Sequence, residues 1–174
     1  MLGDIGCHLL DMATSVTGPV KKIRCWLSTF PKIAMDGKAH KKWQGKKLDA
    51  NDSAIIELEL ENGATAVLHT TRWATGHSNH LRFEAHGTKG ALMFDLDRSY
   101  DKLDICLDED TTKANWKTLE LKATPNNYQR FINAIEKGEV DQPDILRGAQ
   151  IQAYLDACER SAKSGKWQKV KSYE

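Results

Sequence analysis

The chain has 174 residues, 28% charged and 40% hydrophobic, which is the size and make-up of one ordinary globular domain. Its 25 Lys and Arg nearly balance 24 Asp and Glu, leaving a formal charge of +1, so no global field draws it to nucleic acid or to an anionic membrane. No stretch approaches the roughly 20 consecutive apolar residues of a membrane span, and the expected partner is a small molecule or another protein.

Met1-Leu2-Gly3-Asp4 shows neither the basic nor the apolar region of a secretory signal. Cys7, Cys25, Cys106 and Cys158 form no C-x-x-C pair. Free thiols in a reducing, cytoplasmic setting are the expectation.

Residues 4–17 predict a helix, because Ile5, Leu9, Met12, Ala13 and Val16 recur at helical spacing and Gly18-Pro19 stops it, with Asp4 placed to cap its start. A strand is expected over 20–30, followed by a polar, lysine-rich excursion loop over 32–51. Residues 52–73 read as a hairpin: Ala54, Ile56, Leu58 and Leu60 alternate with more polar residues, and Asn62-Gly63 suits a two-residue type I′ turn. That turn sets Leu58 opposite Val67 and Ile56 opposite His69, and predicts a half-buried His69 on the apolar face.

Further strands are expected at 80–86, 91–96, 102–107 and 117–122, then helices at 126–137 and 143–164. Short connections between consecutive strands imply antiparallel pairing. The whole reads as α+β: a large, mostly antiparallel sheet with helices on one face, in a single domain over 1–174. The other sheet face is left open for a homodimer.

Asp4, His8, Asp11 and Ser15 share one helix face. Spacing admits two readings: an imidazole with a carboxylate on each side, suited to accept a proton, or a capped helix with a solvated His8–Asp11 pair. A metal centre is not expected, because the remaining histidines, at 40, 69, 77, 80 and 86, show no ligand-type spacing to complete a site. The lysine run over 38–47 with Trp43 reads as a solvated loop. No Gly-x-Ser-x-Gly or catalytic-cysteine arrangement supports hydrolysis.

The segment from Gly3 to Ala13 (Gly-Asp-Ile-Gly-Cys-His-Leu-Leu-Asp-Met-Ala), followed by Thr17-Gly18, resembles the D-x-G-x-H-x-x-D segment of the glucose-fructose oxidoreductase/inositol dehydrogenase/rhizopine catabolism (Gfo/Idh/MocA) family. The resemblance continues through Asn51-Asp52-Ser53-Ala54, Glu61-Asn62-Gly63-Ala64, Thr71-Arg72-Trp73-Ala74-Thr75-Gly76, His86-Gly87-Thr88-Lys89-Gly90 and Ser164-Gly165-Lys166-Trp167. It implies the α+β, C-terminal substrate and oligomerisation domain of an NAD(P)-dependent oxidoreductase acting on a sugar or polyol-like substrate. His8 would take the substrate hydroxyl proton as hydride leaves for the nicotinamide, Asp4 would position His8 or the substrate, and Asp11 would contact the substrate. Arg72, in a mixed loop after the hairpin, is a further substrate-side candidate.

No G-x-G-x-x-G and no counterpart of the family's Glu-Lys-Pro segment occur in the chain. The expectation is that the dinucleotide domain is absent, so that this chain alone binds no NAD or NADP. The alternative function is a noncatalytic dimerisation or ligand-sensing module on the same scaffold.

Overall fold

The opening helix forms where its apolar spacing predicts, but its first turn is wider than an α-helix. In the computed structural model, which describes residues 1–33 and 37–171, Leu2–Gly6 make a π-helical turn that runs into α1 (Cys7–Thr17). The amides of Asp4, Ile5 and Gly6 all converge on the Met1 carbonyl at 2.9–3.2 Å. The main chain thus meets those donors itself, and Asp4 makes no side-chain cap, contrary to the sequence expectation.

After α1 come β1 (Val20–Ser28), the two-residue strands β2 (Lys32–Ile33), β3 (Ala39–His40), β4 (Lys42–Trp43) and β5 (Lys46–Lys47), then β6 (Ser53–Leu60) and β7 (Thr65–Thr71). The chain continues through β8 (Arg82–Gly87), β9 (Gly90–Asp95), β10 (Lys102–Leu107), α2 (Asp110–Lys113), β11 (Lys117–Glu120), α3 (Asn127–Lys137), α4 (Ile145–Ser164) and β12 (Gln168–Lys169). The expected excursion loop is largely two small exposed ladders, β2–β3 and β4–β5; residues 34–36 within it lie outside the described residues.

These elements fall into two compact units, Met1–Ala74 with residue 142 onward, and Thr75–Asp141. The class is α+β with antiparallel sheets. In the first unit the strand order is β12-β1-β6-β7, and α4 lies on the sheet's apolar face. There Ile23, Cys25, Ile56, Leu58 and Leu68 meet Ile151, Tyr154, Ala157 and Cys158, all buried. Helix α4 also completes the ladder. β12 pairs with β1 only at Lys22 and Ile23, and beyond it the Cys25 N–H donates to Ser161 Oγ at 2.9 Å. The Val20 N–H likewise donates to the Tyr154 hydroxyl at 3.2 Å.

The β6–β7 hairpin is where the sequence expected it, with its register one residue away. Ile55 faces His69, Ile56 faces Leu68 and Leu58 faces Ala66. A type I′ turn needs positive φ at both central residues, and only Gly63 has it, at 85°. Asn62 instead donates from Nδ2 to the Thr17 carbonyl at 2.9 Å and accepts the Ala64 N–H at 3.0 Å. The result is a three-residue loop closed by the Leu60 N–H on the Ala64 carbonyl at 2.9 Å. A slip of one residue reverses every side chain of the strand, so His69 is exposed on the outer face rather than half-buried. Its Nε2 lies 3.1 Å from Ser53 Oγ.

The second unit holds a sheet of order β11-β10-β9-β8. Phe83 and Phe94 stack across β8 and β9 with centroids 5.6 Å apart. Buried Asp104 accepts from Arg98 at 2.6 Å and from the Thr118 hydroxyl at 2.6 Å. Asn126 and Gln129 form a capping box that starts α3, and Gly138 in the left-handed region ends it. The α3 stripe of Tyr128, Phe131, Ile132 and Ile135 is exposed.

Candidate active site

The four residues singled out by the sequence lie in the first unit. Helix α1 and the N-terminal half of α4 form a groove of about 400 Å³, whose walls include His8, Asp11, Arg147, Ile151, Gln152 and Leu155. His8 is exposed there, and among the described residues its imidazole makes no hydrogen bond or ion pair.

Neither carboxylate flanks the ring as the helix spacing suggested. Asp11 Oδ1 accepts from Arg147 Nε at 2.7 Å, while Arg147 Nη2 donates to the Asp11 carbonyl at 2.8 Å and to Thr14 Oγ1 at 2.7 Å. This fork fixes the start of α4 to the middle of α1. Arginine makes it because its guanidinium presents several donors in a rigid plane. Asp4, in the π-helical turn, points to Arg72, with Oδ2 3.8 Å from Nη2.

Arg72 connects the chain's start to the end of β7. Its Nε lies 3.8 Å from Asp52 Oδ1, and its main-chain N–H donates to the Asp52 carbonyl at 3.0 Å. Asp52 is buried and also accepts from the Lys32 ammonium and from the Phe30 N–H at 2.8 Å. The Lys32 hydrogen bond, then that of Phe30, hold the Asp52 carboxyl below the usual carboxylate range against the opposing effect of burial. The neighbouring Asn51 receives the terminal ammonium on its carbonyl at 2.9 Å and the Leu2 N–H on Oδ1 at 2.8 Å. The Asn51-Asp52 pair therefore holds the turn that carries Asp4.

The site thus contains one imidazole without a partner among the described residues and two carboxylates engaged by, or directed to, separate arginines. Arg147 was missed by sequence reasoning; it stands 136 residues from Asp11, and no local pattern joins them. A separate cluster in the second unit, His77, His80 and Asp97, has metal-ligand composition.

The sequence description of the GFO/IDH/MocA C-terminal domain matches residues 1–93. Levoglucosan dehydrogenase of Pseudarthrobacter phenanthrenivorans is 26% identical over 197 aligned residues, which cover 95% of this chain and 50% of that protein. Inositol 2-dehydrogenase of Rhizobium meliloti is 31% identical over 114 residues, covering 63% of this chain and 34% of its own. Among solved structures, levoglucosan dehydrogenase in complex with NADH and levoglucosan is similar at a TM-score of 0.81 and 26% identity, over 97% of this chain and 50% of that one. An oxidoreductase domain protein from Kribbella flavida is similar at a TM-score of 0.80 and 27% identity, over 98% of this chain and 50% of its own. The chain spans about half the length of these relatives.

Proposed function

The chain belongs to the GFO/IDH/MocA family, and from that premise we propose that it is the substrate-binding and oligomerisation half of an NAD(P)-dependent dehydrogenase for a hydroxylated sugar or polyol. The observation that supports this reading best is the His8 imidazole, exposed in the α1–α4 groove without a partner among the described residues. It is free to accept a proton from a bound hydroxyl. Asp11 keeps the groove's shape through Arg147, and Asp4, directed to Arg72, is proposed to add a polar contact to the substrate.

The chain's own residues do not fit a dinucleotide. Phosphates are cradled where a strand of a parallel sheet turns into a helix N-terminus through a glycine-rich loop, whereas both four-stranded sheets here are antiparallel. The cofactor is therefore assigned to a second half, like the half of the relatives this chain does not match. Levoglucosan dehydrogenase has been solved with NADH and levoglucosan, and with NADH and L-sorbose; a compact polyhydroxylated ring or ketose is the substrate class proposed here by analogy. The outer face of the first unit's sheet is proposed to pair two copies.

The test is expression of the whole reading frame, upstream codons included, with NAD and NADP reduction assayed against polyols, aldoses and anhydrosugars. Turnover is expected, and His8→Ala should lower kcat by about 10²–10⁴-fold, the usual worth of a general base, with dinucleotide affinity unchanged. Absence of turnover with either dinucleotide would favour the noncatalytic ligand-sensing module. An unchanged kcat at saturating substrate would remove His8 from the chemistry.

A further inference from the structure

The second unit brings together residues for which the proposed reaction has no use. His77 Nδ1 lies 2.7 Å and His80 Nδ1 2.9 Å from the same oxygen, Oδ2 of Asp97. The three ligand atoms all lie within 4.8 Å of one another, and the two rings are 4.5 Å apart between centroids. Asp95 Oδ1, 3.8 Å from His80 Nδ1, adds a second carboxylate. We propose that His77, His80 and Asp97 form a surface site for a divalent transition ion of the zinc class, clamping the segment before β8 onto the turn after β9.

The backbone places these groups by three separate devices. Pairing of Arg82 with Asp95, continued by the Leu96 N–H on the Leu81 carbonyl at 2.9 Å, sets His80 across from Asp97. A left-handed Gly76, at φ 94°, turns the chain just before His77. The Asp97 N–H donates to Asp95 Oδ1 at 2.9 Å, folding the turn that presents the carboxylate.

The donor set selects the ion. Two imidazole nitrogens and a carboxylate suit zinc, copper, nickel or cobalt, while calcium and magnesium prefer oxygen alone. With neutral rings, the two histidines and Asp97 offer one ligand atom each within 4.8 Å of one another. A tetrahedral zinc with ligand bonds of about 2.0–2.1 Å needs its donors about 3.3 Å apart, so the two imidazole nitrogens, now 2.7 and 2.9 Å from the Asp97 oxygen, draw back from it to admit the ion. All three residues are exposed, so water can complete the shell and the side chains can make that adjustment.

The experiment is a zinc titration of the purified chain in competition with a chromophoric chelator, repeated on His77→Gln/His80→Gln, on Asp97→Asn and on the control Cys7→Ser. Wild type is expected to take one equivalent and to gain thermal stability with zinc. Both site variants should weaken zinc binding at least tenfold, and the control should leave it unchanged. Retained folding of the variants is checked by their metal-free melting temperatures, which should match wild type because the residues are exposed. The proposal is overturned if wild type binds zinc no more tightly than His77→Gln/His80→Gln, or if Cys7→Ser abolishes binding. Neither outcome touches the reading of His8, which lies in the other unit.

Discussion

Asp52 couples the proton concentration to folding through contacts with Lys32, Phe30 and Arg72. A carboxyl held below its unfolded value contributes stability that is complete above that value, about 3.9, and is lost as pH falls through the folded one. Asp52→Asn keeps the shape but not the charge, and should lower stability by about 1–3 kcal/mol at neutral pH. Because a protonated aspartate resembles asparagine, the gap should hold down to about pH 5 and narrow progressively as pH falls below the unfolded value of about 3.9. Urea midpoints measured across that range check it, and a gap that persists undiminished in acid would assign the effect to shape instead. Asp52 was visible in the sequence only as part of a family-like string. Its burial and its three partners were not, since the partners come from two stretches of chain about 20 residues to either side, Phe30 and Lys32 before it and Arg72 after it. Asp11 shows the same limit: its place on the helix face was legible, but Arg147, which occupies it, was not. Arg147→Lys loses the fork geometry and should lower stability by about 1–2 kcal/mol, read as a lower melting temperature.

At the scale of elements, α4 does for β1 what a further strand would do. Ser161 Oγ accepts the Cys25 N–H and donates to the Lys166 carbonyl at 2.8 Å, in a place with no solvent exposure. Ser161→Ala leaves a buried N–H without an acceptor and should cost about 1–3 kcal/mol, whereas Ser164→Ala near the exposed helix end should change little; chemical denaturation of the two variants separates them. In the second unit, Gly90 faces Leu107 across β9 and β10. A Cβ there would sit 2.6 Å from the Cys106 carbonyl oxygen, too close for the backbone to remain in place. Gly90→Ala should destabilise by about 1–3 kcal/mol, and an unchanged melting temperature would mean that this ladder yields easily. The hairpin shows why element type is more legible than register. Ala54, Ile56, Leu58 and Leu60 alternate cleanly and do form the buried face of β6. On β7 the apolar residues Val67 and Leu68 are adjacent, so the strand's own pattern fits either face. Asn-Gly serves a two-residue turn and also a three-residue loop with glycine in the left-handed place. The choice fell to Asn62, whose amide reaches back to Thr17, a contact outside the hairpin.

At the scale of the whole molecule, a resemblance spread from Asp4 to Trp167 named the family, because its short motifs recur in order along nearly the entire chain. What composition could not reveal is which apolar residues remain exposed. On the outer face of the first unit's sheet, Trp26 pairs directly with Ile55, and Val67 follows diagonally on β7. They are 41%, 43% and 73% exposed. Beside this row Lys22 pairs with Glu59 at 2.6 Å, while the Arg24 guanidinium lies over the Trp26 ring at 4.7 Å, its buried Nε making no hydrogen bond among the described residues. An exposed apolar row of this kind can meet its own copy about a two-fold axis. An ordinary stable interface removes about 800 Å² from each partner, so flanking residues must join the row. If this face does pair two copies, Val67→Arg places a cation in the row and should convert a dimer to a monomer. Its unfolding free energy should stay within about 1 kcal/mol of wild type at matched monomer concentration, because Val67 contributes little to the unit's own core. Light scattering on eluting wild type and variant decides it: a monomeric wild type at micromolar concentration, or a dimer that survives Val67→Arg, removes this face as the contact.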